Sequence, residues 1–190
     1  MASGKQIVLT KQELAKAITR MSHEVLEKAG SFEELTLIGI RSRGVHIARR
    51  LARKIEDLTE HLPPVGVIDV TLFRDDKTQT QASATPTANE ISVVLENKVA
   101  VLVDDVIFRG RTIRAALEAL ERLGHAKQIL LAVLIDRGAR ELPIRADIVG
   151  KNIEASDSQR VNVLLEESDG IDQVVMTPWK PARGIERDHG

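Results

Sequence analysis

Two adjacent carboxylates followed by a glycine- and threonine-containing loop form the most informative pattern in the sequence. Asp104 and Asp105 follow an apolar run, and Gly110 and Thr112 come shortly afterwards, where a helix is predicted to begin. Backbone N–H groups at a helix start, together with a threonine hydroxyl, suit a phosphate monoester. Because the carboxylates repel phosphate, the ligand must also offer hydroxyls, a cationic centre or a metal ion. A phosphorylated ribose meets these requirements, since positive charge develops at its anomeric carbon when a leaving group departs.

Other families also place two acids after an apolar run. Nucleotide hydrolases do so, but the sequence has no G-x-x-x-x-G-K-[ST] loop. Flavodoxin-like receiver domains have a comparable acid pocket without a phosphate loop directly behind it. The absence of G-x-G-x-x-G disfavours a dinucleotide cofactor, and Ile40-Arg-Ser-Arg-Gly44 lacks the first glycine of a nucleophile elbow. The residues therefore favour a phosphoribosyl ligand.

Alternating strands and helices are predicted around this pattern. Thr10 and Glu13 form a capping-box pattern ahead of an amphipathic helix over residues 11–28. Helical periodicity returns after Val45 and again after Gly110, where Gly124 is expected to end the helix. The apolar runs predict strands at Leu35–Ile40, Val65–Phe73, Val99–Val103 and Ile129–Ile135, with shorter strands at Ile148–Gly150, Arg160–Leu165 and Gln173–Met176.

This order predicts an α/β fold with a mostly parallel sheet covered by helices on both faces. Such sheets bind ligands beyond the carboxyl ends of their strands, so the loops after residues 40, 103 and 135 should face one crevice. Residues 75–92 are polar and are either a mobile lid over the crevice or an insertion without a role. The length of 190 residues fits a single domain, assigned to residues 1–177, with a frayed tail at 178–190.

Composition excludes several classes of function. The chain has no cysteine, which excludes disulfides, thiolate nucleophiles and cysteine-ligated zinc and suits a reducing compartment. With 27 basic and 28 acidic residues the net charge is −1, so only a local basic patch would attract nucleic acid, and DNA binding is not expected. No segment has the roughly 20 apolar residues that span a bilayer. We expect a cytoplasmic protein without membrane contact.

The stretch Val-Leu-Val-Asp-Asp-Val-Ile-Phe-Arg-Gly-Arg-Thr at 101–112 resembles the phosphoribosyl-pyrophosphate (PRPP) signature of type I phosphoribosyltransferases. Three further stretches make the chain similar to the PyrR family of pyrimidine-operon attenuation regulators, which are also uracil phosphoribosyltransferases. They are Thr-Arg-Met-Ser-His at 19–23, Ile-Asp-Val-Thr-Leu-Phe-Arg-Asp-Asp at 68–76, and residues 134–152, which contain Arg-Glu-Leu-Pro-Ile-Arg-Ala-Asp. The resemblance implies a type I phosphoribosyltransferase fold with a small hood and a flexible lid.

The resemblance also implies an activity and its residues. The family transfers the phosphoribosyl group from PRPP to uracil, giving UMP and diphosphate, with Mg²⁺ carried mainly by the substrate and no direct protein ligands. Asp104 and Asp105 would hold the ribose hydroxyls and stabilise the transition state, and Arg74 would neutralise the leaving diphosphate. The remaining implied contacts are Val106, Ile107, Phe108, Arg109, Gly110, Arg111 and Thr112 for the 5-phosphate, Ser42, Arg43 and Gly44 for diphosphate, and Asp136, Arg137 and Gly138 for uracil.

A regulatory role follows from the same resemblance. Family members bind a stem-loop of leader mRNA on a basic surface of a homodimer or larger homo-oligomer, in response to UMP or UTP. The corresponding residues are Thr19, Arg20, His23, Arg140, Arg145 and Lys151. A solvated helix face without a partner is the alternative for these positions.

Two residues depart from the family pattern. Arg109 replaces a hydroxyl residue, and Ala139 replaces a histidine. Arg109 either adds a bond to phosphate or fills the empty phosphate site, and both changes are also compatible with neutral drift. Two other functions therefore stay open: an RNA-binding regulator that keeps a vestigial nucleotide-sensing site with little catalysis, and a phosphoribosyltransferase for another base without an RNA role.

Overall fold

The protein is represented by a computed structural model that describes residues 4–70 and 93–179. Arg74, the predicted lid at 75–92 and residues 180–190 of the predicted tail lie outside the described residues. The helices are α1 (Lys11–Ala29), α2 (Arg43–Thr59), α3 (Arg111–Glu121) and α4 (Glu166–Asp169). The strands are β1 (Gln6–Leu9), β2 (Leu35–Ile40), β3 (Val65–Ile68), β4 (Val99–Ile107), β5 (Gln128–Asp136), β6 (Ile148–Asn152), β7 (Gln159–Leu164) and β8 (Gln173–Pro178).

Five of these strands form a parallel sheet in the order β3-β2-β4-β5-β6. Strand β2 is buried along its whole length, as expected for a strand covered by helices on both faces. Because β2, β4 and β5 are parallel neighbours, their carboxyl ends lie at the same edge of the sheet. The prediction that the loops after these strands lie at one edge of the sheet is therefore confirmed.

Helices cover both faces of the sheet, as predicted. The capping box of α1 is present: the Thr10 backbone N–H donates to Glu13 Oε2 at 2.8 Å, and the Glu13 backbone N–H donates to Thr10 Oγ1 at 3.4 Å. The apolar sides of α1 and α2 pack on one face of the sheet, where Met21 and Leu51 are fully buried. Helix α3 packs on the other face through Ile113 and its neighbours.

A second, three-stranded antiparallel sheet has the order β1-β8-β7 and corresponds to the expected hood. The sequence predicted β7 and β8 but not β1 or the short helix α4. Pro178 belongs to β8, so the tail begins later than predicted. Helix α3 ends at Glu121, three residues before Gly124. None of the helices in the described ranges is long and apolar enough to cross a membrane.

Candidate active site

The two adjacent acids lie inside strand β4 and not beyond its end. The sequence predicted that the strand stops at Val103, but β4 continues to Ile107 because its partner β5 is long enough to pair with it as far as Asp136. Pairing with β2 ends at Val103. Asp104 and Asp105 therefore extend past β2 and border the crevice while β5 still holds their backbone in place.

The carboxylates of the two acids are held by the backbone that follows each of them. Asp104 accepts a hydrogen bond from the Asp105 N–H at 2.9 Å, and Asp105 accepts one from the Val106 N–H at 2.8 Å. Asp104 is only 7% exposed. Burial raises the pKa of Asp105, although these hydrogen bonds and the charge of Arg43 act in the opposite direction. The pair offers carboxylate oxygens to hydroxyl donors at the edge of the sheet.

The predicted phosphate loop leads from β4 into helix α3. Gly110 is the N-cap residue and has a φ of +91°, a left-handed conformation that glycine adopts without steric cost. Gly110 has no side chain that could cap the first turn of α3, and the N–H groups at a helix start favour an anion. The geometry is that of a phosphate site directly behind the acid pair.

The second predicted anion loop joins β2 to α2. The side chain of the N-cap residue Ser42 makes no capping hydrogen bond, and the Arg41–Ser42 peptide bond is cis. A Cβ atom on Gly44 would lie 2.4 Å from the Val103 carbonyl oxygen, so only glycine fits there. This contact places the start of α2 directly against the strand that carries the acids.

Arg43 does not project freely into solvent. Its Nη2 donates to both carboxylate oxygens of Asp169 in α4, at 2.9 and 3.2 Å. Its Nε is buried and has no hydrogen-bond partner. An unpaired guanidinium N–H beside an open helix start is a donor available to an incoming anion.

The loop after β5 is tied to the phosphate loop through Arg140. The Arg140 guanidinium donates to the carbonyl oxygens of Phe108, Gly138 and Ile144 and to the Asp136 carboxylate, where Nη2 and Oδ2 are 2.6 Å apart. Arg140 was predicted to contact RNA, yet the structure uses its side chain to join two loops beside the crevice. No local sequence pattern indicated this role.

A cavity of about 700 Å³ lies between the phosphate loop and the hood. Its volume is within the range of small-molecule sites. The phosphate-loop residues Val106 to Thr112 and the predicted uracil-site residue Arg137 line it, whereas Asp136 and Gly138 lie beside it in the same loop. Sequence reasoning missed the lining residues that the hood contributes, which are Asp157, Gln159, Arg160, Val161 and Trp179.

Arg137 is the most buried cation of this cavity. Its Nη2 donates to the Ser156 carbonyl oxygen at 3.1 Å, its Nε is buried without a hydrogen-bond partner, and its guanidinium lies 3.9 Å from the centre of the Phe108 ring. Burial lowers the pKa of Arg137, opposed in part by the charge of Asp157. A buried N–H without a partner at a cavity wall is suited to an oxygen of a bound ligand.

The side chain of Arg109 is paired with Glu141 next to the phosphate loop. Its guanidinium pairs with Glu141 at 3.0 Å, and the other carboxylate oxygen of Glu141 binds Arg111 at 2.7 Å. The backbone N–H of Glu141 also donates to the Arg109 carbonyl oxygen at 3.1 Å. In this structure the Arg109 side chain thus has a carboxylate partner, and both explanations for Arg109 stay predictions.

The residues predicted to contact RNA lie in more than one place. Thr19, Arg20 and His23 are exposed on α1, as their helical spacing predicted. Arg20 donates to the carbonyl oxygens of Val149 and Gly150 in β6, next to Lys151, whose Nζ donates to the Val8 carbonyl oxygen at 2.9 Å. Arg145 is exposed in the loop before β6. Helix α1 and strand β6 thus bring part of the predicted set together.

The described residues offer no cage for a metal ion. In residues 4–70 and 93–179, no three histidine, aspartate or glutamate side chains converge in a way that could hold one. Two carboxylates beside a phosphate loop fit Mg²⁺ that arrives on substrate oxygens, since this ion keeps several waters and is usually bound by one or two carboxylates together with phosphate.

Comparisons with known proteins agree with this geometry. The family model described as phosphoribosyl transferase domain matches residues 5–167. The fold is similar to that of a hypoxanthine phosphoribosyltransferase from Staphylococcus aureus, with a TM-score of 0.67 and 17% identity over 93% of each chain. A second structure, the Trypanosoma cruzi enzyme in complex with IMP, gives a TM-score of 0.68 at 15% identity over 94% of this chain and 91% of that one. At these identities the structures establish the fold alone.

Sequence relatives are more specific. The chain is 48% identical to the Bifunctional protein PyrR of Pelotomaculum thermopropionicum over 176 residues, which cover 93% of this chain and 97% of the relative. The protein of the same name from Streptomyces coelicolor is 47% identical over 175 residues, covering 92% and 90%. With its acid pair, phosphate loop and hood in one phosphoribosyl transferase domain, the chain belongs to the PyrR family.

Proposed function

We propose that this protein transfers the phosphoribosyl group from PRPP to uracil and also regulates a pyrimidine operon by binding leader mRNA. The observation that carries the catalytic half is the acid pair of β4 placed directly ahead of an uncapped, glycine-led helix start. The names of the bifunctional relatives support the combination of two functions. We further propose a cytoplasmic location, because both proposed functions require nucleotides and a transcript.

Each loop of the crevice has a distinct role in binding PRPP. The 5-phosphate binds the N–H groups at the start of α3 and the Thr112 hydroxyl. The diphosphate binds at the start of α2, where the unpaired Nε of Arg43 supplies a charge-assisted donor. The ribose hydroxyls donate to Asp104 and Asp105, which lie between the two loops.

The reaction is a substitution at the anomeric carbon. The bond from this carbon to diphosphate breaks, and the electron pair leaves with the diphosphate oxygen. Uracil N1 forms the new bond and releases its proton to solvent. The carboxylates of Asp104 and Asp105 lie next to the positive charge that develops on the ribose, and their fixed positions lower its energy without reorganisation.

Asp104 and Asp105 would face Mg²⁺ that arrives with the substrate, and the ion would supply charge neutralisation for the leaving group. Arg74 and residues 75–92 keep their proposed roles as a diphosphate ligand and a lid that excludes water. Both belong to the single domain proposed for residues 1–177.

RNA binding is proposed for the exposed side of α1 with the neighbouring part of β6. The support is the position of Arg20, which joins the two elements while Thr19 and His23 stay exposed. We further propose that the protein forms a homodimer or larger homo-oligomer, which presents one copy of this surface on each protomer. Light scattering of the purified protein tests the oligomeric state.

One set of assays separates the candidate functions. The protein is incubated with PRPP, Mg²⁺ and labelled uracil, and then with purine bases in place of uracil. UMP formation supports the proposal, whereas formation of a purine nucleotide identifies a phosphoribosyltransferase for another base. Absence of turnover together with retained UMP binding identifies a nucleotide-sensing regulator.

RNA binding is tested by filter binding of a leader hairpin and a scrambled control across a salt series, with and without UMP. Contacts to phosphate release counterions, so the logarithm of affinity should fall linearly with the logarithm of salt concentration. A flat salt response with no preference for the hairpin would reject the regulatory half.

A further inference from the structure

Trp179 lies at the mouth of the cavity, immediately after β8. Its backbone N–H donates to the Ser158 carbonyl oxygen at 2.7 Å, which fixes the residue beside the start of β7. The indole is one of the cavity-lining side chains and remains 45% exposed. A large aromatic ring that is anchored through its backbone and half exposed at a cavity offers its face for stacking on a planar ligand.

The other aromatic ring of the cavity lining is already engaged. Phe108 is contacted by the guanidinium of Arg137 at 3.9 Å and by that of Arg109 at 5.1 Å. These cation–π contacts use the electron-rich surface that a stacked base would need. Among the described residues that line the cavity, Trp179 is therefore the one with aromatic surface left for a ligand.

The positions of the remaining lining residues indicate how a nucleotide would be oriented in the cavity. The phosphate loop forms one wall, and Trp179 directly follows β8 of the hood, which is a separate sheet. A nucleoside monophosphate whose phosphate binds at Gly110 and Thr112 would extend its base away from α3, toward Arg137 and the hood.

We propose that the Trp179 indole stacks on the pyrimidine ring of UMP and forms the outer wall of the base site. This inference rests on the proposed function, because it takes UMP as the occupant of the cavity. Aromatic side chains stack on bases through π-surfaces and contribute to affinity without reading hydrogen-bonding edges. Trp179 thus strengthens nucleotide binding, while the polar lining residues determine which base is accepted.

The composition of the chain makes the proposal directly measurable. Trp179 is the only tryptophan, and the sequence has no tyrosine. Intrinsic fluorescence excited near the red edge of tryptophan absorption therefore reports this one side chain. Titration with UMP should quench or shift its emission, whereas titration with ribose 5-phosphate, which lacks the base, should leave the emission nearly unchanged.

Calorimetry of variants supplies the second measurement. Trp179→Ala should weaken UMP binding about tenfold, in the range expected for loss of one stacked base, and should leave ribose 5-phosphate binding within about twofold. Trp179→Phe, which keeps a ring, should retain most of the affinity. Leu62→Ala is the matched control, because Leu62 is an exposed apolar residue that does not line this cavity.

The outcomes distinguish this inference from the proposed function. If the wild-type protein binds UMP but its emission does not respond and Trp179→Ala binds as tightly, stacking is overturned and the proposed function stands. Equal responses to UMP and ribose 5-phosphate also overturn it, since the base would then play no part. Failure of the wild-type protein to bind UMP overturns both.

Discussion

The Arg43 guanidinium and the Asp169 carboxylate form an ion pair at 2.9 Å between the start of α2 and the turn of α4. Arg43 is the residue expected to bind diphosphate, so an incoming diphosphate and Asp169 compete for the same cation. The pair therefore lowers the positive charge at the site before substrate arrives.

Replacing Asp169 with Asn should strengthen diphosphate binding. The amide keeps an oxygen that can accept the Leu165 N–H bond but removes the competing charge. A partly exposed ion pair contributes about 0.5–1 kcal/mol, which corresponds to roughly two- to fivefold in affinity. Inhibition by diphosphate gives the measurement, and Glu166→Gln in the same turn is the control. Weaker binding in Asp169→Asn would show that Asp169 positions Arg43 and does not compete for it.

Asp105→Asn should lower activity and raise stability together. Burial raises the pKa of Asp105 in the folded protein, so the folded state holds this proton at pH values at which the unfolded chain has released it. Stability is therefore lost as the pH rises from the unfolded pKa through the folded one, and the full penalty is present above it. Asn removes that penalty and keeps an acceptor for the Val106 N–H.

We expect a melting temperature about 2–4 °C higher at pH 7, equivalent to roughly 1 kcal/mol for a chain of this size, and turnover reduced by at least about 100-fold. The difference in melting temperature should shrink toward pH 4. Calorimetric melting across this pH range and a uracil turnover assay test the two parts. Full turnover in the variant would refute the role of Asp105.

Arg50→Met should destabilise the protein in a pH-dependent manner. Arg50 pairs with Glu167 and Asp172 at 2.6 and 2.7 Å, and the side chains of Arg50 and Asp172 are only 20% and 10% exposed. Hydrogen bonding to Arg50 lowers the pKa of Glu167. Burial acts to raise the pKa of Asp172, but the hydrogen bonds from Arg50 and from the Glu166 N–H, together with the charges of Arg50 and Lys11, lower it overall. Carboxylates with lowered pKa values stabilise the fold above their unfolded pKa, and this contribution is lost as the pH falls through the folded pKa.

Arg50→Met should lower the free energy of unfolding by about 1–2 kcal/mol at pH 7. The loss is no larger because solvent screens the ion pair with Glu167. This loss should shrink as the pH falls from 7 to 3, because protonation of Glu167 and Asp172 removes the charges that Arg50 binds. Denaturant unfolding at both pH values measures it, and Lys54→Met on the same helix, which breaks an exposed pair with Asp57, should change stability by less than about 0.5 kcal/mol. An equal loss at both pH values would mean that packing and not charge is involved.

The variants Arg140→Lys and Arg145→Ala should show whether each arginine supports the loops beside the crevice or contacts RNA. Lysine keeps the charge of Arg140 but not the planar fork that reaches four acceptors, so UMP binding should weaken about tenfold. Arg145→Ala should leave UMP binding unchanged and lower the salt slope of RNA binding by about one. If Arg140→Lys affects only RNA affinity, Arg140 contacts RNA as the family resemblance implies.

Glu141→Gln should make the phosphate loop more attractive to anions. Glu141 neutralises Arg109 and Arg111, which flank Gly110. Without this charge, UMP should bind about threefold tighter at low salt, and the gain should vanish near 1 M salt, where the Debye length is about 3 Å. Glu118→Gln, which breaks comparable pairs with Arg114 and Arg122 on α3, is the control. Unchanged UMP affinity in Glu141→Gln at low salt would exclude an electrostatic role for Glu141.

Local patterns were sufficient for most of the central sheet. Helix α1 and strand β2 are each predictable from a pattern of a few neighbouring residues, namely the capping box at Thr10 and the apolar run at Leu35–Ile40. Strand β4 was predicted too short, because the pairing that extends it comes from β5. Strand β1 is only four residues long and exists through pairing with β8, which lies at the other end of the described chain.

The parts of the site that the sequence could not reveal depend on long-range contacts. Trp179 approaches the phosphate loop only because β8 pairs with β7 in the hood. Arg140 lies in a motif that is basic and looks suited to RNA, yet three of its four acceptors are backbone carbonyl oxygens of the surrounding loops. Every residue type has a backbone carbonyl, so the sequence does not show which ones will accept a hydrogen bond. Asp104 and the Gly110 loop were predicted because strand end, acid and glycine follow one another directly.

Gly44 and Val103 are in contact through backbone atoms alone, with no room for a side chain between them. The spacing between the diphosphate loop and the acids of β4 is therefore set by main-chain geometry and does not vary with rotamers. Descendants of this chain are free to change the chemistry of either element, but the spacing between the loop after β2 and strand β4 is inherited with the sheet itself.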